Sequence, residues 1–208
     1  KQLIDDFENG NIDILIGTQM VTKGLDFKNV SLVGILNADA LLNFPDFRSY
    51  EKAFQMITQV RGRAGRGDKM GKVFVQTSHP QHIVLHHVVE KDMFGLYRLI
   101  LDERKQYHYP PFARLIELNV IGKDINEVGH LAQEFLLLLQ QYFAGRILGP
   151  EFPLVARIRN MHYKTLLLKL HKNESPQQVR MQLNECITTL HEKHRKWNFR
   201  IMVDVDPV

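Results

Sequence analysis

The spacing of apolar and polar positions divides the chain into two halves of different design. Leu3, Ile4 and Phe7 recur at helical intervals, so residues 1–9 read as the end of an amphipathic helix closed by the Asn9-Gly10-Asn11 turn. Ile12 to Ile16 is a short apolar run that suits a buried parallel strand, with Gly17-Thr18 at its carboxyl end. Val30 to Leu36 and Lys72 to Thr77 predict two further buried strands. Between them lie a short helical turn from Gln19 to Lys23 that stops at Gly24 and a polar loop from Asn37 to Asp46. A helix over Tyr50 to Gly62 carries Phe54, Ile57 and Val60 on one face, and a glycine-rich basic loop runs from Gly62 to Gly71. His82 to Gln106 predicts one long helix. Strands alternating with helices predict an α/β unit on a parallel sheet.

Tyr109-Pro110-Pro111-Phe112 ends that helix, because consecutive prolines can neither donate to the ladder nor leave the preceding residue helical. The pattern therefore places a domain boundary between residues 1–108 and 109–208. Beyond it come a strand (Arg114 to Val120), a helix (Ile125 to Phe143), a strand from Arg146 to at least Leu148, and a strand (Tyr163 to Leu170). A helix (Pro176 to Lys193) and a strand (Phe199 to Val205) follow. The order β-α-β-β-α-β predicts a small α+β domain of the ferredoxin-like, split βαβ kind. The run Phe135 to Leu139, and Cys186 at helical spacing from Leu183 and Leu190, read as its core.

Composition narrows the class. With 208 residues, 44% hydrophobic and 24% charged, the chain has material for one or two folded domains. The longest apolar run, Phe135 to Leu139, falls far short of the roughly 20 residues of a membrane span. A single cysteine excludes an internal disulfide and a multi-cysteine zinc site, and it fits a cytoplasmic protein. The chain opens inside a helix without an initiator Met, so it reads as a truncated piece. The net charge of +4 lies mostly in the second half, where 13 Lys and Arg face 10 Asp and Glu, against 14 and 13 in the first. That balance permits nucleic-acid binding without implying it. His82 with His86, and His191 with His194, have helical or near-helical spacing but no evident further ligand. They read as exposed helix residues, and no metal site is expected within the chain.

The strongest chemical signal is Gln59-Val60-Arg61-Gly62-Arg63-Ala64-Gly65-Arg66. Arginine offers a planar, permanent charge that binds phosphate oxygens in pairs, and glycine lets the backbone approach a ligand closely. By itself such a block is either a polyanion site or a solvated basic loop. Its spacing resembles motif VI (Q-x-x-G-R-x-G-R) of superfamily 2 helicases. The upstream segment Gly17-Thr18-Gln19-Met20-Val21-Thr22-Lys23-Gly24-Leu25-Asp26-Phe27 resembles their motif V. Together with Asp46-Phe47-Arg48, Tyr109-Pro110-Pro111-Phe112, Leu148-Gly149-Pro150 and the final Val203-Asp204-Val205-Asp206-Pro207, these segments resemble the primosomal replication-restart helicase family, PriA, along essentially the whole chain.

That resemblance implies a RecA-like second helicase lobe followed by the ferredoxin-like domain, as the C-terminal part of an ATP-dependent 3′-to-5′ DNA helicase acting at stalled or abandoned replication forks. By position, Arg63 and Arg66 match the arginines that reach the γ-phosphate of ATP, and Gln59 matches the residue that contacts that phosphate or orients the attacking water. Gly24 and Asp26 match the segment near the nucleotide, and Thr18 and Thr22 match hydroxyl-bearing positions that face the DNA backbone or couple it to the nucleotide site. Arg61 is expected to pack or to touch DNA. No G-x-x-x-x-G-K-[ST] segment and no D-E-x-H-type acidic box occur, so the phosphate cradle and magnesium carboxylate are expected on a first lobe in cis. The family's zinc is expected in a cysteine cluster outside this chain. Implied partners are forked and single-stranded DNA, the single-stranded-DNA-binding protein and primosome proteins, with no membrane.

In the second half, Arg157, Arg159, Lys164 and Lys169 surround a predicted hairpin with His162 and Tyr163 interleaved. Such a ribbon either grips phosphates and stacks on bases or is ordinary charged surface, and the resemblance favours the first. The competing view of the whole chain is a catalytically degenerate DNA- or protein-binding module derived from a helicase lobe. A module without catalytic duty has no chemical need for the Gln59, Arg63 and Arg66 spacing.

Overall fold

A computed structural model describes residues 2–18, 30–61 and 71–207. The predicted turn at 19–23, most of the glycine-rich loop, and Thr22, Gly24, Asp26, Arg63 and Arg66 lie outside the described residues. The chain divides into two compact units, Lys1–Glu103 and Arg104–Val208.

In the first unit, α1 (Gln2–Glu8) precedes β1 (Leu32–Ile35), α2 (Asp39–Leu42), α3 (Ser49–Arg61), β2 (Lys72–Val75), α4 (Ile83–Glu90) and α5, which begins at Met93 and ends at Gln106. Strands β1 and β2 pair in parallel, with Leu32 opposite Lys72 and Ile35 opposite Val75. The apolar face predicted for α3 is buried: Ala53, Phe54, Ile57 and Val60 all turn inward. Ala53, Phe54 and Ile57 share a core with Val84, Leu85 and Val88 of α4 and Leu96 and Ile100 of α5, against which Ile35 and Val75 pack.

Three expectations change in this unit. Ile12 to Ile16 forms no strand; Ile14 and Ile16 are exposed, and no described strand runs beside them to take up their backbone N–H and C=O groups. The strands β1 and β2 are buried on one face only: Val33, Ile35, Val73 and Val75 are half-buried, while Leu32 and Phe74 are exposed. The long helix predicted over His82 to Gln106 is two helices. Lys91 takes a left-handed conformation (φ 60°), and its N–H bonds back to His87 and Val88 carbonyls, which closes α4. Asp92 then starts α5, its carboxylate accepting from the Gly95 N–H at 2.9 Å. An aspartate three residues ahead of Gly95 was a visible start signal, masked by the continuous apolar spacing on either side.

The second unit contains β3 (Ala113–Gly122), α6 (Ile125–Phe143), β4 (Ile147–Glu151), β5 (Arg157–Ile158), β6 (Met161–His171), α7 (Pro176–Lys193) and β7 (Phe199–Val205). Its sheet runs β4-β6-β3-β7 with every pairing antiparallel, and β5 forms a hairpin with the start of β6. Asp124 caps α6 by accepting from the Asn126 and Glu127 N–H groups. Helix α7 opens with Pro176, whose missing N–H would have had no partner in the first turn. Phe135, Leu139 and Phe143 of α6 and Leu183, Cys186 and Leu190 of α7 pack with Leu118, Val120, Leu166 and Leu168 of the sheet. Of the run Phe135 to Leu139, only the two ends are fully buried. Leu137 is exposed, because five consecutive residues sweep more than one helix face.

The sequence motifs of this half have local causes. Gly149 sits at φ +95°, and a Cβ there would come within 2.6 Å of the Thr165 carbonyl oxygen, so the Leu148-Gly149-Pro150 bulge of β4 admits only glycine. At the chain's end, Asp206 accepts from Arg114 at 3.0 Å, and its N–H donates to the Leu115 carbonyl, which fastens the strand β7 to the start of β3.

Candidate nucleotide and nucleic-acid interface

Helix α3 leads into the arginine block. Its buried face holds it against the core, and Gln59 lies on the opposite, exposed side in the last turn. Thr18 is exposed, outside any helix or strand. Arg61 is structural: its Nη1 donates to the carbonyl oxygen of Val88 at 3.0 Å, bridging α3 and α4. Thr22, Gly24, Asp26, Arg63 and Arg66 lie outside the described residues, so Gln59 is the one predicted nucleotide residue among the described residues.

It does show two anchors that sequence inspection missed. Asp39, at the start of α2 beyond β1, accepts hydrogen bonds from the Thr77 and Ser78 hydroxyls and from the Ser78 N–H at 2.9 Å. Those bonds, the Ser78 hydroxyl foremost, hold its carboxyl far below the usual range, so the loops after β1 and β2 are tied at the carboxyl edge of the parallel pair. Ligand crevices of open parallel sheets lie at that edge. An acidic residue after one strand and Thr-Ser after the next was the available signal.

The second anchor explains Asp46-Phe47-Arg48. Asp46 accepts from the Arg48 N–H at 2.9 Å and from Lys52 Nζ at 2.5 Å, which begins α3. Burial pushes its carboxyl up, but the Lys52 ammonium and the Arg48 N–H outweigh that and leave it below its ordinary value. The Arg48 guanidinium lies over the Phe47 ring at 4.7 Å.

In the second unit, Arg159 (φ 48°) and Asn160 (φ 64°) form the two-residue turn of the β5–β6 hairpin. Arg157, three residues before Asn160 in the ribbon's first strand, donates to the Asn160 side-chain oxygen. Lys164 Nζ sits 3.7 Å from the centre of the Phe152 ring. Lys169 is engaged elsewhere: it donates to the Tyr107 carbonyl at 2.7 Å, lies over the Tyr109 ring at 3.6 Å, and burial lowers its pKa. It is a packing residue, not part of a phosphate grip. Near Arg157 and Arg159 in the chain, the apolar side chains of Phe152, Leu154, Val155 and Ile158 are exposed. Cations interleaved with a ring and apolar side chains form the kind of surface on which nucleotide bases stack.

The histidine expectations divide. His82 caps α4, its Nδ1 accepting from the Val84 N–H at 3.3 Å, and burial lowers its pKa. His86 is exposed opposite Glu90, as expected of a surface residue. His191 is stacked on Phe199, with ring centres 4.4 Å apart. His194 is not a surface residue; its side chain is largely enclosed and bonds Glu134 at 2.5 Å. Among the described residues, no helix is long and apolar enough to cross a membrane.

The sequence model of the primosomal protein N C-terminal domain matches residues 105–208, half of the chain. The chain belongs to the PriA, or primosomal protein N, family. The PriA assignment extends to the first unit, where the helicase conserved C-terminal domain matches residues 1–68. The replication restart protein PriA of Synechocystis sp. is 42% identical over 171 residues, covering 81% of this chain and 21% of that protein. PriA of Bacillus subtilis is 35% identical over 209 residues, covering 100% of this chain and 26% of the relative. PriA of Thermotoga maritima is 36% identical over 170 residues, covering 81% and 22%. The chain thus spans about a quarter of the length of the curated relatives it matches.

Proposed function

We propose that this chain is the C-terminal part of an ATP-dependent 3′-to-5′ DNA helicase that works in the cytoplasm at stalled or abandoned forks to restart replication. The observation that carries this is the succession, in one chain, of a helicase C-terminal domain and a primosomal protein N C-terminal domain. Residues 1–108 are the second RecA-like motor lobe, with parallel β1 and β2 as part of its sheet. Residues 109–208 are a ferredoxin-like domain. The antiparallel order β4-β6-β3-β7 supports that assignment, since the second, third, first and fourth long strands lie side by side.

ATP and magnesium are held mainly by a first lobe in cis. The fit on this side rests on Gln59, presented outward at the end of a helix whose other face is fixed in the core, three residues before Gly62 and the arginines. Gln59 contacts the terminal phosphate or orients water. Arg63 and Arg66 neutralise charge on the transferring phosphoryl group, with Gly24 and Asp26 beside the nucleotide. Thr18, Thr22, Arg157, Arg159 and Lys164 face DNA. The partners are forked and single-stranded DNA, the single-stranded-DNA-binding protein and primosome proteins, and zinc belongs to a cysteine cluster elsewhere in the full-length protein.

The test is Arg63→Ala in the full-length protein. ATP affinity stays near wild type, while DNA-stimulated turnover falls by roughly 10³–10⁵, the usual range for loss of an arginine finger. Arg63→Lys recovers little, because a point charge cannot reproduce the planar fork. Near-normal turnover in Arg63→Ala refutes the assignment and promotes the degenerate-module alternative.

A further inference from the structure

We infer that His130, Glu134 and His194 form a binding site for a divalent transition metal of the zinc class, clamping α6 to the end of α7. No metal ligand was expected here, because the three residues meet only in the fold. His130 and Glu134 are four residues apart on α6 and so share one helix face. His194 is the residue that closes α7, fixed there by its N–H donating to the Leu190 carbonyl at 3.1 Å. One candidate ligand atom from each residue lies within 4.8 Å of the other two, and no other group of three or more such residues occurs among the described residues. The other histidine–carboxylate pairs among the described residues, His79 with Asp39, His86 with Glu90 and His87 with Asp92, belong to no such group.

The surroundings are arranged as a ligand shell needs. Glu134 divides its oxygens: Oε1 accepts from Lys193 Nζ at 2.6 Å, while Oε2 faces His194 Nε2 at 2.5 Å. Lys193 therefore orients the carboxylate from behind and leaves one oxygen for a metal, the outer-shell role that tunes many metal ligands. The Trp197 ring lies 4.6 Å from that of His194 and 5.6 Å from that of His130, forming an apolar wall beside both imidazoles. Two imidazoles and one carboxylate suit Zn²⁺, Co²⁺ or Ni²⁺; Ca²⁺ and Mg²⁺ require oxygen shells. Three protein donors leave a fourth tetrahedral position for water. Metal–donor bonds of about 2.0–2.2 Å set tetrahedral ligand atoms about 3.3–3.6 Å apart, so His194 Nε2 and Glu134 Oε2, now 2.5 Å apart, must separate to admit a metal, and the exposed His130 is the ligand best placed to move. Binding displaces the proton shared between His194 Nε2 and Glu134 Oε2, which leaves to solvent.

The site is tested with Zn²⁺ added to the purified 208-residue chain, by titration calorimetry and thermal unfolding. Trp197, the only tryptophan, reports through quenching by Ni²⁺. The one thiol does not compete, since Cys186 is buried and burial pushes its pKa up to about 11. Expected are one zinc equivalent, a zinc-dependent rise in the unfolding midpoint, and Trp197 quenching. His130→Ala and Glu134→Gln should each weaken zinc at least about tenfold, and His86→Ala should change nothing. Glu134→Gln also breaks the contacts to Lys193 and His194 and can disturb the fold, so the exposed His130→Ala decides. Zinc binding by His130→Ala equal to wild type, or no saturable zinc binding by the wild-type chain, overturns the proposal and leaves a plain hydrogen-bonded ion pair. None of these readouts depends on ATPase or helicase activity.

Discussion

Arg61 donates to the carbonyl oxygen of Val88 at 3.0 Å, so the first arginine of the glycine-rich block holds two helices together. Arg61→Ala should lower folding stability by about 1–3 kcal/mol, the cost of losing a charge-assisted hydrogen bond to a partly buried carbonyl. In the full-length protein its effect on turnover, measured well below the unfolding midpoint, should stay small beside that of Arg63→Ala. A collapse of turnover at unchanged stability would move Arg61 into the nucleotide site.

Arg146 and Glu174 join the end of α6 to the loop before α7, with Nη1 and Oε1 2.5 Å apart and the His171 N–H donating to the same oxygen at 2.8 Å. Burial pushes the Glu174 carboxyl up, but the His171 N–H and the Arg146 guanidinium outweigh it, and the group lies below its ordinary 4.5. A carboxylate depressed in the folded state stabilises above its unfolded pKa and loses that contribution as pH falls through the folded value. Glu174→Gln should therefore cost about 1–3 kcal/mol at pH 7, with the gap from wild type closing below about pH 4. Urea unfolding of both chains at the two pH values checks this; a gap independent of pH would contradict it.

The basic hairpin makes a prediction that salt can read. If Arg157, Arg159 and Lys164 meet phosphates, each contact removed lowers the slope of log affinity against log salt by about 0.7 on single strands or 0.9 on duplex. The charge-reversal triple variant of the 208-residue chain should bind DNA more weakly and with a flatter salt dependence. Equal binding by parent and variant would make the hairpin ordinary charged surface.

The 208-residue chain alone should not hydrolyse ATP, with or without single-stranded DNA, because it contains no G-x-x-x-x-G-K-[ST] phosphate cradle. DNA-stimulated turnover by rigorously purified chain would refute the half-site assignment.

Local pattern alone placed α6 and α7 at their observed bounds, and β7 as well; the two helices have apolar residues at helical spacing and start at Asp124 and at Ser175-Pro176. The family was legible for a different reason: the resemblance rests on residue types at set intervals, Gly17 to Phe27 and Gln59 to Arg66 foremost, which are read directly from the linear string. Where a neighbour decides the outcome, the string is silent. Ile12 to Ile16 has a strand's composition but lacks a described strand beside it, and Lys91 breaks a helix whose apolar rhythm continues on both sides. Lys169 reads like Lys164 until the tertiary structure sets it over Tyr109. Likewise, no spacing rule joins His130 and Glu134 to His194, sixty residues after Glu134. Helical and strand periods depend on contacts a few residues apart and are written along the chain, whereas a three-residue cluster or a one-sided sheet exists only once distant segments have packed.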